Sequence, residues 1–340
     1  MRNKRRNGIS GFIGALFCMA SAALLSSCEP FFEDLPLCPH GVSIRFVYDY
    51  NMSYGNALPR TVDELTLLIY NEDSAYVGTR LLTKEELQDE DFRLQMELPE
   101  GTYHFAAYGG LGVDDASFAF EPAPDSAARW SDLRVGMDKT CLQDSARRKL
   151  KDFYWGTLTL STADLYNGGT LHLMKNTNNI RVMLQQVDGS VLDINQFEFE
   201  IVDDNTLFDY QNECLPNDTV AYMPWVKGIS KIEVMPDGGD TVQAEDVTIG
   251  FAELSTSRLM DRNAARLRVK RADNGQIIID IPLVKYLMLM GSECHGMEAQ
   301  EFLDRESAWT MLFFLRPNGF WLSTVIVVND WEVRVNEAGL

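Results

Sequence analysis

Period-two alternation of apolar residues narrows most what this chain can become. Val42, Ile44, Phe46 and Tyr48 share one face of a run whose other face carries Ser43 and Arg45. A half-buried strand puts every second side chain on one side in this way. Leu65, Leu67 and Ile69 repeat the pattern, as do Phe92, Leu94, Met96 and Leu98. Pro99-Glu100-Gly101-Thr102 then supplies turn chemistry before Tyr103, Phe105 and Ala107, so these two runs are predicted to pair as a hairpin. Similar runs follow at Leu158-Leu160, Leu171-Leu173, Ile180-Val182-Leu184, Phe197-Phe199-Ile201, Leu267-Val269 and Ile277-Ile279-Ile281, and a long final one spans Ser323 to Val335. A succession of short antiparallel strands with an inner apolar face predicts an all-β protein built of β-sandwiches.

At 340 residues the chain is too long for one ordinary domain, and two are expected. The cut is placed near Asn176, in the polar stretch Lys175-Asn176-Thr177-Asn178-Asn179, which divides a domain at 38–175 from one at 176–340. Tyr166-Asn167-Gly168-Gly169 is expected to break the chain just before it. Helices are few: Thr83 and Glu86 form a capping box opening a helix over 84–90, and two more are predicted at 283–290 and 297–306. The segments 109–150 and 203–231 have weak periodicity and hold Pro, Gly and Trp, so long loops are expected there.

The N-terminus reads differently. Arg2, Lys4, Arg5 and Arg6 precede an apolar run from Gly11 to Leu25, and Leu25-Ser26-Ser27-Cys28 closes it. This is a secretory signal ending in a lipobox, with residues 1–27 the signal peptide, Cys28 the acylated residue and 28–37 the tether. Several acyl chains give lasting membrane attachment where one is marginal. A spanning helix is the other reading, but the run is short of the roughly 20 apolar residues needed. Glu29, Glu33 and Asp34 follow the lipidated cysteine closely.

Fifty acidic residues against 30 basic ones give a net charge of −20, and loss of the basic leader makes the mature chain more acidic still. Nucleic-acid binding draws its affinity from Lys and Arg clusters, so DNA and RNA are excluded as partners. No nucleophile elbow, zinc-protease helix, phosphate loop or paired Cys-x-x-Cys occurs. His104 and His172 fall between apolar neighbours and are expected on solvated strand faces. Cys38-Pro39-His40 and Cys294-His295 each offer two ligands where a structural zinc needs four. The acids at Asp114-Asp115, Asp203-Asp204 and Asp237-Gly238-Gly239-Asp240 lack calcium-loop spacing and read as solvated turns. No enzyme activity, metal, cofactor or small-molecule substrate is expected. Cys38, Cys141, Cys214 and Cys294 remain after processing. Either bridges within each half, Cys38 to Cys141 and Cys214 to Cys294, or free buried thiols would suit an exported chain.

Cys38-Pro39-His40-Gly41-Val42 leading into Arg45-Phe46-Val47-Tyr48-Asp49-Tyr50-Asn51-Met52 resembles the opening of the FimB-type fimbrial anchor lipoproteins, minor subunits of the type V pili of Bacteroidia. Pro99 to Phe105, Lys175 to Asn178, Gln300 to Glu306 and Val328-Asn329-Asp330-Trp331 are similar to inner stretches of that family. The resemblance implies two tandem transthyretin-like β-sandwiches. It also implies a surface lipoprotein at the base of a fimbria, held to the outer membrane, influencing fimbrial length and joined to a fimbrillin-like stalk subunit by strand exchange. The candidate exchange segments are the first strand (Val42, Ile44, Phe46, Tyr48) and the final run (Thr324, Ile326, Val328). Stalk relatives are cut after an arginine to release the first strand. Arg60 is the nearest analogue, and cleavage there would sever an anchor from its lipid. The alternative function is an adhesin or glycan-binding module at the tip or as an accessory subunit, with Trp130, Trp155, Trp225 and Trp321 as candidate stacking surfaces.

Overall fold

Alternation acts here as it should for layered sheets: Val42, Ile44 and Phe46 turn inward against Leu65, Leu67, Ile69, Phe105, Ala107 and Leu171, all fully or nearly buried. A computed structural model describes residues 40–162, 166–234, 245–289, 296–317, 321–328 and 331–336. The expected signal peptide, Cys28, Cys38 and Cys294 lie outside them.

Strands are numbered in chain order. In the first half, β4 (Leu94–Glu97), β1 (Gly41–Val47) and β9 (Tyr166–His172) form a three-stranded sheet. It faces a five-stranded one ordered β10 (Met174–Lys175), β8 (Tyr154–Ser161), β5 (Thr102–Gly109), β2 (Leu65–Asn71) and β3 (Tyr76–Leu82). In the second half a six-stranded sheet runs β16 (Val226–Val234), β17 (Glu245–Ser257), β11 (Thr177–Gln186), β20 (Ala308–Leu315), β21 (Trp321–Val328) and β22 (Trp331–Asn336). Its partner is ordered β15 (Val220–Tyr222), β12 (Phe197–Asp203), β18 (Arg266–Arg271) and β19 (Ile277–Pro282).

The two halves repeat one connectivity that no sequence repeat announces. Strand β1 lies antiparallel to β4 and parallel to β9, as β11 lies antiparallel to β17 and parallel to β20. The order β8-β5-β2-β3 recurs as β19-β18-β12-β15.

Four sequence expectations change. The runs on either side of Pro99 to Thr102 do not pair: β4 joins β1 in one sheet while β5 joins β2 and β8 in the other, so the turn carries the chain between layers. Tyr166 to Gly169 does not break the chain but opens β9, paired with β1. Glycine suits that strand because a Cβ on Gly169 would sit 2.9 Å from a methyl of Leu158 and one of Leu160. The final run folds back as two strands, β21 and β22, rather than one.

The fourth change matters most. The segments expected as long loops contribute a fifth sheet, ordered β14 (Cys214–Leu215), β13 (Leu207–Asp209), β7 (Arg134–Met137) and β6 (Phe118–Phe120). Two of its strands come from each half, and β13 pairs with β7 through Leu207 to Gly136, Phe208 to Val135 and Asp209 to Arg134. Strands of two to four residues are too short to display alternation, and the pairing that joins the halves, β7 with β13, spans about seventy positions. The segment beyond β14 is likewise not a loop throughout, since it also forms β15 and the start of β16.

Three of the four short α-helices agree with prediction to within a few residues. The four are α1 (Leu58–Thr61), which alternation did not reveal, α2 (Lys84–Gln88) with its Thr83–Glu86 capping box, α3 (Leu283–Met288) and α4 (Ala299–Arg305).

Candidate functional site: the first strand and the seam between the sandwiches

Strand β1 fills the centre of its narrow sheet. Its ladder has four residue pairs with β4 and seven with β9, and Val42 and Ile44 are completely buried. Immediately after it, Asn56 Oδ1 accepts from the Tyr48 N–H at 3.0 Å and the Ala57 N–H donates to the Tyr48 carbonyl at 2.9 Å, closing the loop behind the strand. Burial, reinforced by Asp152, pushes the Tyr48 phenol far above its ordinary range, so it stays protonated. The candidate exchange residues Val42, Ile44, Phe46 and Tyr48 are therefore seated in this chain's own core. Because β1 runs parallel to β9, which leads through β10 into β11, Gly41 stands at the end of the first sandwich remote from the second.

Arg60 is exposed in α1, where its N–H donates to the Ala57 carbonyl at 3.1 Å and Val62 N–H closes the turn on Leu58. The peptide bond after it is thus held in a helical turn rather than the extended form a protease cleft accepts.

At the other end, backbone register sets Thr324 opposite Phe313 and Val335, Ile326 opposite Met311 and Val333, and Val328 opposite Trp331. The terminal pair β21–β22 extends the six-stranded sheet beyond β20 and leaves β22 at its edge.

The polar stretch at the domain cut is not a solvated linker. Asn176, Thr177 and Asn178 are buried. Asn176 and Asn212 exchange amide hydrogen bonds of 2.7 and 3.0 Å, Asn178 accepts from Trp309 Nε1 at 3.1 Å, and Thr177 Oγ1 donates to Asp152 Oδ1 at 3.0 Å. Buried amides must be satisfied, and a mutually satisfied set fixes one geometry. Beside it Arg258, 11% exposed, makes a two-pronged pair with Asp304, 5% exposed, at 2.7 and 2.6 Å, and donates to the Asn212 carbonyl at 2.7 Å. Desolvation opposes the Arg258 charge, but the Asp304 carboxylate outweighs it and raises the guanidinium pKa. From α4, Arg305 reaches across to the first half, its guanidinium 4.1 Å from the Tyr50 ring centre and 4.7 Å from that of Tyr54. Pairing with Glu301 at 2.7 Å orients it. Sequence reasoning missed this seam, for its members are spread from Tyr50 to Trp309. The one local signal was a cluster of Asn and Thr at a predicted strand start.

Cys141 and Cys214 are buried free thiols. Burial raises both, Cys214 to about 11, so neither is a thiolate at neutral pH. The acids at Asp203-Asp204 are not a solvated turn: Asp203 is buried, and Asn263 Nδ2 bridges Asp203 and Asp204 at 3.0 Å each. His172 is exposed as expected, 2.8 Å from Asp49 Oδ1. His104 is half-buried, with Trp130 tilted over it at 4.3 Å, and that burial lowers its pKa. Of the candidate stacking tryptophans, Trp225 is 37% exposed, while Trp130, Trp155 and Trp321 are half-buried and pack against the core. Among the described residues no three His, Cys, Asp or Glu side chains converge as metal ligands, and no helix is long and apolar enough to cross a membrane.

Two transthyretin-like β-sandwiches of one connectivity, joined by a shared sheet and a buried polar seam, define the structural class. A family model described as fimbrillin-A associated anchor proteins Mfa1 and Mfa2 matches residues 35–337, and the chain belongs to that family. It is a family of fimbrial anchor proteins. Among solved structures, a candidate adhesin from Bacteroides thetaiotaomicron is 50% identical and superposes with a TM-score of 0.82 over 89% of this chain and 100% of its own. The fimbrial anchor protein Mfa2 from Porphyromonas gingivalis shares 14% identity at a TM-score of 0.62, over 88% of this chain and 100% of its own. At that identity the likeness is one of fold. A search of curated proteins finds no match.

Proposed function

We propose that this protein is the lipid-anchored base of a fimbria, attached through Cys28 to the outer membrane and joined to a stalk subunit by strand exchange. The observation that carries the reading is the placement of β1: the strand next to the tether is locked in its own sandwich, at the pole remote from the second sandwich. Residues 28–40 reach at most about 45 Å when extended, so the first sandwich stays near the bilayer and the second is presented outward. The terminal strands β21 and β22, at the sheet edge of that outer sandwich, are the segment placed for exchange. An edge with unpaired N–H and C=O groups is the template such pairing uses. Burying about four apolar side chains of a swapped strand contributes roughly 6 to 12 kcal/mol, comparable to the cost of ordering about eight residues at ~1 to 2 kcal/mol each. Side-chain fit therefore decides the partner.

Replacing Cys28 with Ala tests the reading: intact fimbriae should appear in the medium, and unchanged retention on cells would refute anchoring. Mature protein should begin at Cys28; an N-terminus at Thr61 would show that the first strand is shed and that this is not an anchor.

One observation favours a second reading, a surface adhesin. Trp225 borders an open pocket of about 210 Å³ lined by Asn179, Arg181, Glu253 and Thr310. A pull-down separates the two: a heat-resistant ladder with fimbrillin-like subunits supports the anchor, and glycan capture without them supports the adhesin.

A further inference from the structure

A chain with 20 more acids than bases nevertheless places four cations, Arg147, Arg148, Lys149 and Lys151, within the span 147–151. The arginines are engaged: Arg147 pairs with Asp144, and Arg148 donates to the carbonyls of Ala146 and Asp115 at 3.4 Å. Lys149 and Lys151 are exposed and make no ion pair among the described residues. Between them Leu150 is buried, its N–H donating to Ser255 Oγ at 2.9 Å, while the Lys151 N–H donates to Ser117 Oγ at 2.9 Å. An inward leucine pinned by hydrogen bonds leaves its two neighbours on the outer side, so both ammonium groups stand along one edge of the segment.

That edge borders a cavity of about 330 Å³ whose apolar floor includes Val62, Leu150 and Tyr154. The two acids on its lining are already matched, Asp63 by Lys84 at 2.6 Å and Asp152 by Lys175 at 3.0 Å. Behind the Gly110 turn, Glu64 Oε1 accepts the N–H groups of Gly110 and Gly112 at 2.8 and 3.0 Å. Among the residues that line the groove, the charges without an opposite partner are therefore those of Lys149 and Lys151.

We propose that this groove binds an extended acidic peptide of a partner protein, with carboxylates two residues apart. Alternate side chains of an extended chain repeat at about 6.5–7 Å, and Lys149 and Lys151 are themselves alternate residues on one side of their segment, so a peptide lying alongside meets both ammonium groups with alternate residues. The net charge of −20 disfavours the same ligand over the surface as a whole, so attraction here and overall repulsion together set where it lands. The proposal does not depend on the fimbrial assignment.

The test uses full-length protein in detergent and two fluorescein-labelled peptides of Asp and Val, one alternating and one with the same residues but the acids adjacent. Anisotropy at low salt should show binding of the alternating peptide, weakening as salt is added. Lys149→Gln with Lys151→Gln should weaken it about tenfold, as two lost exposed ion pairs at up to ~1 kcal/mol each imply, and the double Glu variant should abolish it. Both sites are exposed, so melting temperatures should not change; Lys285→Gln, exposed on α3, should bind as wild type. Absence of binding, binding that survives the double substitution, or an equal loss in Lys285→Gln would overturn the proposal. So would equal binding of the adjacent-acid isomer, inorganic phosphate or polygalacturonate, which would make this a general anion site.

Discussion

The two sandwiches share a connectivity but not the security of their first strands. Strand β1 sits in a sheet of three, held by four residue pairs on one side and seven on the other. Its counterpart β11 sits inside a sheet of six, with nine pairs to β17 and eight to β20. The second sandwich has gained β16 beyond β17 and the β21–β22 pair beyond β20, whereas β4 and β9 remain edges in the first. One topology thus yields a lightly framed strand at the start of the first sandwich and a deeply embedded one beside the seam. The difference teaches that how firmly a strand of such a fold is framed is set by its neighbours, not by its own sequence, because Val42, Ile44 and Phe46 are as apolar and as buried as Ile180, Val182 and Leu184.

The comparison breaks most readily if the halves are independent. One continuous apolar core joins Leu68, Tyr70, Ala106 and Tyr108 of the first half to Ile180, Val182, Trp309 and Met311 of the second through the shared sheet. Trp309→Ala and Phe105→Ala should each cost about 3–5 kcal/mol, and each should lower a single cooperative melting transition. A melt in which the unmutated half keeps its wild-type temperature would show two separable bodies.

The seam offers the next test. Asp304→Asn leaves Arg258 buried without its counter-charge and should cost about 3–5 kcal/mol. Asp280→Asn, at the exposed pairs with Arg266 and Arg268, should cost under about 1 kcal/mol. Equal losses in chemical denaturation would remove the distinction between seam and surface.

A smaller effect concerns Asp203. Burial foremost raises its carboxyl to about 6, above the unfolded value near 4. Folded protein then holds this proton more tightly than unfolded protein does, so stability falls as pH rises from about 4 to about 6 and the penalty is complete above that. Asp203→Asn should raise the stability at pH 7.5 by an amount on the order of 1–3 kcal/mol, read as a higher Tm, and leave it unchanged at pH 4. A rise of equal size at both pH values would assign the effect to something other than ionisation. Smallest is Thr83→Ala in the first half, which removes the α2 cap and should cost about 1 kcal/mol by the same melt.

How far the fold was legible follows from these particulars. Runs such as Ile180 to Leu184 and Phe197 to Ile201 were plain, because five or more alternating residues leave few other ways to bury one face. Near β19 the pattern slipped: a register shift at Val269/Lys270 leaves Ile277 about half exposed and buries Ile278 instead, which a strict count of two cannot anticipate. The turn before Thr102 was recognisable as a turn, yet pairing and crossing between layers use the same residues, so the hairpin inferred there was wrong. Of the candidate site, the first and last strands could be named in advance. The Asn176–Asn212 pair and the Arg305–Tyr50–Tyr54 stack could not, since a hydrogen bond or ring contact between distant positions leaves no local periodicity.

Local chemistry written along the chain determined the β-rich class and the α2 cap, because alternation and short capping motifs act over a few residues. Tertiary structure alone decided that the weakly patterned segments would cross-pair into a shared sheet, that the polar stretch at Asn176 would be buried, and that β1 would be framed by only two strands. Those outcomes depend on which distant partner each backbone N–H and C=O finds, and burial of the same apolar faces is compatible with more than one such pairing.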